Sequence, residues 1–530
     1  MAYVITQNCC KDASCVPVCP VDCIRPVHGI GGFDAAEMLY IDPDSCIDCG
    51  ACFDECPVDA IHYDEDLPPH LERFKQLNAD YFDRHPLQPD GTAEPGPRPR
   101  VQRGALRVAV VGAGPAACYA AAELIDIDGV EVELFERLPT PFGLIRAGVA
   151  PDHQHTKSVV DIFDSVFANE RLGCHLNVEV GRDITHDELL AAHHAVIYAV
   201  GASDSRTLGV PGENLAGSHP AADFVGWYNG HPDHAHHEFD LTGRRAVIIG
   251  NGNVALDVAR VLLMEPAERA VTDIAEHALV ALQTSAIDEV VILARRGPAH
   301  AAFSVGEFLA LGHLQGVDVV IDGDLDDAAA VDFLSAQKIV VAREYAQRQP
   351  TPGNRRIVFR FGATPTEVVG SDRVSALHLA DGESIETSLV LRSIGYRGTP
   401  IPGVPFDADA GVVPNAGGRV TEENGASLAG VYVTGWIKRG PRGVIGSNRV
   451  CATETVAALW QDFTDGTLDR PVAQRETLHT LLDQRTTTRL GWAGWRAIDA
   501  AERQRGSEAG RPRTKLVERS ELLAAALSRG

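Results

Sequence analysis

Positive charge and long apolar runs are what this 530-residue chain lacks. Its 47 Lys and Arg face 73 Asp and Glu, a formal net charge of −26. That deficit argues against nucleic acid or an anionic membrane surface as a partner. No basic recognition segment or helix-turn-helix breaks the pattern. No run of about 18 apolar residues occurs, so no membrane span is expected. No basic and apolar leader precedes Cys9, so no signal peptide is expected. The shortage of bases is sharpest at the start, where residues 1–66 hold 13 acids against two bases, Lys11 and Arg25. The other end inverts the balance, with 12 Arg or Lys against eight acids in 466–530. An acidic N-terminal unit suits a basic docking surface, inside the chain or on another molecule.

Cysteine is unevenly placed: nine of the 12 lie in the first 56 residues. Cys46, Cys49, Cys52 and Cys56-Pro57 give C-x2-C-x2-C-x3-C-P, the bacterial ferredoxin spacing for iron–sulfur clusters. Cys9, Cys15 and Cys19-Pro20 repeat it, with Asp12 in the second slot. Thiolates are soft, strongly donating ligands for iron. In this pattern the cysteine before proline serves the other cluster. Cys46, Cys49, Cys52 and Cys19 are therefore expected to hold one [4Fe–4S] cluster. Cys9, Cys15 and Cys56 form the second site. There a hard, weaker carboxylate replaces a thiolate. Either the fourth iron is absent, giving [3Fe–4S], which this reading favours, or Asp12 holds it weakly. Cys10 is an alternative to Cys9, and Cys23 reads as a buried spare. Thiolate ligation asks for a reducing compartment, which places the protein in the cytoplasm.

Two nucleotide-binding turns follow. Strand 107–111 leads into Gly112-Ala-Gly114-Pro-Ala116-Ala117 and an alanine-rich helix over 116–125. Such a turn lets a pyrophosphate approach the helix N-terminus. Glu136 ends the next strand, where an acid bonds ribose hydroxyls. Strand 245–249 leads into Gly250-Asn251-Gly252-Asn253-Val254 and a helix over 254–264. No acid ends the strand at 290–294; Arg295 and Arg296 stand there instead. Two guanidiniums suit a 2′-phosphate and so NADP(H). Polar residues 265–288 read as an insertion, since the usual separation is ~20 residues. NADPH delivers two electrons together and clusters accept one at a time, so a flavin belongs between them. The first turn is therefore expected to hold FAD.

The organisation expected is a ferredoxin unit at 1–66, a linker at 67–104 with a helix at 70–83, the two nucleotide units, and a tail at 466–530 with helices at 470–484 and 515–528. Apolar runs at 339–342, 374–379 and 388–394 read as strands, 431–435 as a strand entering a turn, and 448–463 as a helix.

The segments LPTPFGLIRAGVAPDH (138–153), NVEVGRD (177–183), FVGWYNG (224–230), GNGNVALDVAR (250–260), RRGP (295–298), SIGY (393–396) and GWIKRGPRGVIG (435–446) resemble the adrenodoxin reductase family of ferredoxin–NADP reductases. Residues 1–66 resemble a seven-iron ferredoxin, and the whole chain is similar to fused ferredoxin/ferredoxin–NADP reductases. The resemblance implies an α/β fold with two Rossmann-like domains behind a small α+β ferredoxin. FAD would bind to 105–203 and 396–465, and NADP to 204–395. It implies FAD contacts at Ala116, Glu136, Leu144, Val180, Trp436, Gly443, Val444 and Ile445. NADP would contact Asn251 to Val254, Arg295, Arg296 and Glu307. His153 and Glu307 would lie at the flavin–nicotinamide edge. Alanine replaces the family's glycine at 117. The implied activity is transfer of electrons from NADPH through FAD and the clusters to ferredoxin or a ferredoxin-dependent oxygenase. An electron-input subunit of glutamate-synthase type and a redox sensor are the competing readings. Nothing in the sequence sets an oligomeric state.

Overall fold

The computed structural model describes residues 2–28, 32–87, 96, 98–323, 325 and 330–527. In the N-terminal unit, Tyr3–Ile5 pairs antiparallel with Ile61–Tyr63, and Ile24–Arg25 with Tyr40–Ile41. Each cysteine repeat is thus flanked by two strands. The first strand of one repeat pairs with the last strand of the other. This interleaving carries Cys56 to the cavity lined by Cys9 and Cys15. It likewise brings Cys19 and Cys46 both close to Cys52.

Residues 67–104 do not run as one linker. Helix Arg73–Arg84 buries Phe74, Leu77, Asn78, Tyr81 and Phe82. Those side chains complete the core of the cysteine unit. The Asn78 amide donates to Ile5 O (2.9 Å) and accepts from Ile41 N (2.9 Å), tying both strand pairs to the helix. A unit of about 60 residues has little core of its own, and the helix supplies the missing face. The QPDG turn of the expected linker lies outside the described residues.

Two sheets form the rest. The first runs in the order 415–416, 419–421, 427–433, 195–198, 107–111, 131–136, 172–176. Its last five strands are parallel. The second, wholly parallel, runs 218–220, 389–392, 245–249, 289–294, 355–361, 317–322. Both are covered by helices, so their strands are continuous apolar runs such as Val108–Val111 and Val290–Ala294, buried throughout. The chain crosses between the sheets twice, and the crossings Asp204–Ser205 and Tyr396–Arg397 pair antiparallel. The expected insertion holds two helices, Pro266–Ala270 and Glu276–Gln283. The strand expected at 339–342 is instead part of helix Phe333–Gln347. Its buried positions 335, 338, 339, 342 and 345 keep helical spacing, which the four-residue run alone does not reveal. Val374–Leu379 is a strand of a separate antiparallel sheet.

The tail is built into the fold. Helices Arg475–Arg485 and Arg519–Leu527 flank an unforeseen one, Trp492–Glu508. Leu490 exchanges backbone hydrogen bonds with Leu176 at the edge of the first sheet (2.8 and 3.0 Å). Trp492 stacks on Phe167, with ring centroids 4.6 Å apart. Fully buried Glu502 meets Arg146 (2.6 Å) and Arg513 (3.0 Å) and accepts from Leu516 N. Lys515 meets Asp273 (3.2 Å) and Arg511 meets Glu276 (2.9 Å), both beside the second sheet. The tail's bases therefore join the two sheet units, and those named here meet acids of the sheet units and of the tail itself rather than of the cysteine unit. No helix among the described residues is long and apolar enough to cross a membrane.

Candidate functional site

Gly112 and Gly250 take the same strained conformation, at φ +107° and +108°. A Cβ on Gly112 would lie 2.6 Å from Ala199 O, and one on Gly250 2.1 Å from Ser393 O. Both positions need glycine because the next crossing strand passes against them. Gly114 and Gly252 follow in extended conformation as N-caps of helices Pro115–Ile125 and Asn253–Leu263. Neither helix has a side-chain cap. A Cβ on Gly114 would meet nothing within 4 Å, and one on Gly252 only Ala302 at 3.9 Å. Two uncapped helix N-termini with open space in front suit two pyrophosphates.

At the first turn, Glu136 accepts from Ala113 N and Leu138 N, each at 2.9 Å. Burial lifts its carboxyl above the ordinary value, against the pull of those amides. Gly143 abuts Gly114, a Cβ there lying 2.9 Å from the Gly114 Cα, so half-exposed Leu144 follows directly on the turn. Val178 N donates to Glu136 O, which sets Val180 two residues beyond the same strand end. Gly435 packs on Ala116, where a Cβ would lie 2.6 Å from the Ala116 Cβ. Trp436 starts the next helical turn, 5.7 Å from the Tyr396 ring. Gly443 follows at φ +86°, then Val444, 36% exposed, and Ile445, which packs on the first core. Beside this turn, Arg439 Nη1 is buried without a hydrogen-bond partner. An orphaned donor, an open glycine cradle and a strand-end acid fit a flavin dinucleotide.

At the second turn, Asn253 Oδ1 accepts from Ser304 N (2.7 Å), tying the turn to the helix that carries Glu307. Arg295 and Arg296 are exposed where strand Glu289–Ala294 ends. Neither has a hydrogen-bond or ion-pair partner among the described residues, so both are free to meet a phosphate.

His153 and Glu307 come together around a residue the sequence reading passed over. Arg260 is 3% exposed and meets Asp152 (2.6 Å), Asp257 (2.7 Å) and Glu307 (3.4 Å). His153 Nε2 lies 2.8 Å from Arg260 Nη2, and its Nδ1 lies 4.0 Å from Glu307. Burial would raise the Asp152 carboxyl, but Arg260 holds it down at about 2. Burial pushes Glu307 and Asp257 up and His153 down. The signal was present in GNGNVALDVAR, whose Asp257 and Arg260 lie one helical turn apart and face the same side.

The cysteine sites fit iron. Ala60 N points at Cys56 Sγ (3.3 Å) and Cys23 N at Cys19 Sγ (3.5 Å), the amide donation that ligating sulfurs receive. Burial pushes the Cys9 thiol up to about 11 and Cys52 up to about 12, so their thiolates need a cation beside them. Cys49 is exposed, and Cys46 partly so. Cys10 and Asp12 line the same cavity as Cys9, Cys15 and Cys56. Cys23 is buried in the core of the cysteine unit.

The Cys9–Cys15–Cys56 side is seated on the turn at 443–446. Gly446 N donates to Cys10 O (2.8 Å). Tyr119, on the helix of the first glycine turn, donates to Asp12 Oδ2 (2.7 Å), and Arg449 to Asp12 O (2.9 Å) and Oδ1 (3.3 Å). The unit also touches the second sheet's helices: Glu37 accepts from Val305 N (2.6 Å) and meets Lys338 (2.8 Å), and Arg73 meets Glu344 (2.6 Å).

Residues 39–62 match the model of the 4Fe-4S binding domain, and 106–297 that of the pyridine nucleotide-disulphide oxidoreductase. A probable ferredoxin/ferredoxin–NADP reductase of Mycobacterium tuberculosis is 50% identical over 550 residues, covering 100% of this chain and 95% of the relative. The NADPH-ferredoxin reductase FprA of the same organism is 46% identical over 452 residues, covering 78% of this chain and 98% of its own. The solved structure of M. tuberculosis FprA in complex with NADPH matches with a TM-score of 0.75 at 44% identity, over 80% of this chain and 99% of that one.

Proposed function

The chain belongs to the family of fused ferredoxin/ferredoxin–NADP reductases, and on that premise we propose how its parts divide the passage of electrons from NADPH to ferredoxin-type acceptors. Residues 105–203 and 396–465 hold FAD, residues 204–395 hold NADP(H), and residues 1–66 hold two iron–sulfur clusters. When bound, the flavin takes a hydride's two electrons and releases them singly, and the clusters carry one electron each. The protein positions and tunes.

Gly112, Gly114, Ala116 and Glu136 grip the FAD pyrophosphate and ribose. Leu144, Val180, Trp436, Gly443, Val444 and Ile445 shape the rest of its bed. Asn251, Gly252, Asn253 and Val254 present backbone to NADP, and Arg295 and Arg296 grip its 2′-phosphate. His153 and Glu307, both held by Arg260, stand at the edge where nicotinamide meets flavin.

The observation that carries the reading is the seating of Cys10 on Gly446 and of Asp12 on Tyr119 and Arg449, around the 443–446 turn. It supports entry of electrons at the Cys9–Cys15–Cys56 cluster. Exit is then at the Cys46–Cys49–Cys52–Cys19 cluster, whose Cys49 faces solvent. The acceptor is a ferredoxin or a ferredoxin-dependent oxygenase, and the compartment is the reducing cytoplasm.

The same seating supports [3Fe–4S] at the entry site. Both Asp12 oxygens are engaged, one by Tyr119 and the other by Arg449 and Ser14. Completing a fourth iron would require the carboxylate to share or give up these contacts. The oxidised protein is expected to hold about seven irons per chain and to show a [3Fe–4S] EPR signal. About eight irons and an EPR-silent oxidised state would make Asp12 a ligand.

Arg295→Ala tests the NADP assignment. Hydrogen bonds to a charged group contribute ~1.5–3 kcal/mol, so KM for NADPH should rise about 10- to 100-fold while that for NADH stays within about twofold. Equal loss for both cofactors would sink the assignment.

A further inference from the structure

Three clusters among the described residues place His and carboxylate atoms within 4.8 Å of one another: Glu133–His175–His479, His153–Asp257–Glu307 and Asp223–His234–His237. Two are already filled by arginine. Arg475 meets Glu133 and Arg489 lies 2.9 Å from His175 Nδ1 in the first, and Arg260 sits at the heart of the second. Asp223 of the third pairs only with His234 and His237 among the described residues. It is a concentrated donor set with no cation.

The local chain builds that set. Helix Ala221–Asn229 carries Asp223 in its first turn and ends at Gly230 in the left-handed conformation, φ +71°. The chain then folds back through turns His231–His234 and His234–His237. The returning His234 ring lies against the helix at Gly226, where a Cβ would be 2.6 Å from the ring's Cδ2. Only a residue without a side chain lets the ring pass there on its way to Asp223.

The distances suit a metal ion. His234 Nδ1 lies 3.3 Å from His237 Nε2 and 3.5 Å from Asp223 Oδ1, and His237 Nε2 lies 4.0 Å from Asp223 Oδ2. Ligands at 2.0–2.1 Å in a tetrahedron stand about 3.3–3.4 Å apart, so one edge is already at that length. Side-chain exposures of 28%, 36% and 23% for His234, His237 and Asp223 leave room for entry and for a water as fourth ligand. Two imidazoles and a carboxylate are a borderline set, which favours zinc over calcium or magnesium.

We propose that Asp223, His234 and His237 form a zinc site, through His234 Nδ1, His237 Nε2 and an Asp223 oxygen, apart from the flavin and cluster sites. The ion fastens the 231–239 loop to helix Ala221–Asn229. The same loop carries Asp233, which meets Arg137 of the first sheet unit (2.5 Å) and Arg519 of the tail (3.3 Å). Zinc there stiffens the joint between both sheet units and the tail.

The test uses the full chain with its flavin and clusters loaded. Wild type, His237→Gln and Asp223→Asn are dialysed against Zn2+ alone, and bound zinc is counted by elemental analysis. Wild type should hold one equivalent more than either variant, with NADPH turnover alike in all three. Zinc-edge X-ray absorption of the wild type should show nitrogen and oxygen at about 2.0–2.1 Å with imidazole scattering. Equal zinc in all three proteins, or a sulfur shell at about 2.3 Å, would overturn the site. The two variants alter different ligands, so misfolding of one leaves the other to decide.

Discussion

Gly446→Val is expected to cut NADPH-driven reduction of the clusters by about 100-fold, the scale of a 1 Å misplacement at a reacting centre. A Cβ at 446 would lie 2.0 Å from Lys11 O, 2.1 Å from Lys11 C and 2.4 Å from Asp12 N. All three atoms are backbone, so no side-chain rotation relieves the clash. The cysteine loop must back away from the reductase, losing the Gly446–Cys10 hydrogen bond and loosening the Tyr119 and Arg449 grips on Asp12. Reduction of a small dye that draws electrons from the flavin should persist, because the glycine turn at 112–114 is untouched. Stopped-flow absorbance with a flavin-content assay reads both. Unchanged cluster reduction would mean that this contact is not the route.

The largest effect on stability is expected from Arg260→Met. Its guanidinium is the cation facing Asp152, Asp257 and Glu307. Breaking a buried pair by removing one partner typically costs about 3–5 kcal/mol. The cost should also depend on pH. In the wild type, Asp152 is held at about 2, below its unfolded ~3.9, so its contribution is present above pH ~4 and is lost as pH falls toward 2. His153 is held below its unfolded ~6.5 by burial and Arg260, so it opposes folding as pH drops below ~6.5. Glu307 and Asp257, whose carboxyls burial raises, act in the opposite direction over the same range, so the effect of the substitution is read as the difference between variant and wild type. In the variant, three crowded carboxylates have raised affinities for protons, and stability is lost as pH rises through their range. The loss in urea midpoint relative to wild type should be smaller at pH 5 than at pH 7. An equal loss at both pH values, or a loss under about 1 kcal/mol, would show the knot to be surface-like.

Much of the site was legible because its chemistry is local. The two strand–glycine–helix units, the cysteine spacing and the Arg295–Arg296 pair each lie within a few residues, and the structure places both glycine turns in matching geometry. What stayed hidden depends on residues far apart in the chain. Asp12 looks like a defect in a cluster motif until Tyr119 and Arg449 are brought to it. Gly446 looks like one more glycine in GWIKRGPRGVIG until Lys11 is laid across it. The 339–342 run is apolar and mostly β-branched, yet it sits mid-helix, because Ile339 and Ala342 share a buried face with Ser335 and Lys338 that four residues alone do not show. The 492–508 helix was overlooked because a buried acid, Glu502, interrupts the apolar stripe of Trp495 and Ile498. Its partners Arg146 and Arg513 make that burial tolerable, and neither is evident from the helix itself.

We propose that the cysteine unit receives electrons from the reductase of its own chain. Anaerobic protein mixed with NADPH at several protein concentrations, then freeze-quenched for EPR, tests it directly. Cluster signals should change in a first-order process whose rate is independent of protein concentration. A rate proportional to protein concentration, or a reduced flavin beside clusters that stay oxidised, would contradict it.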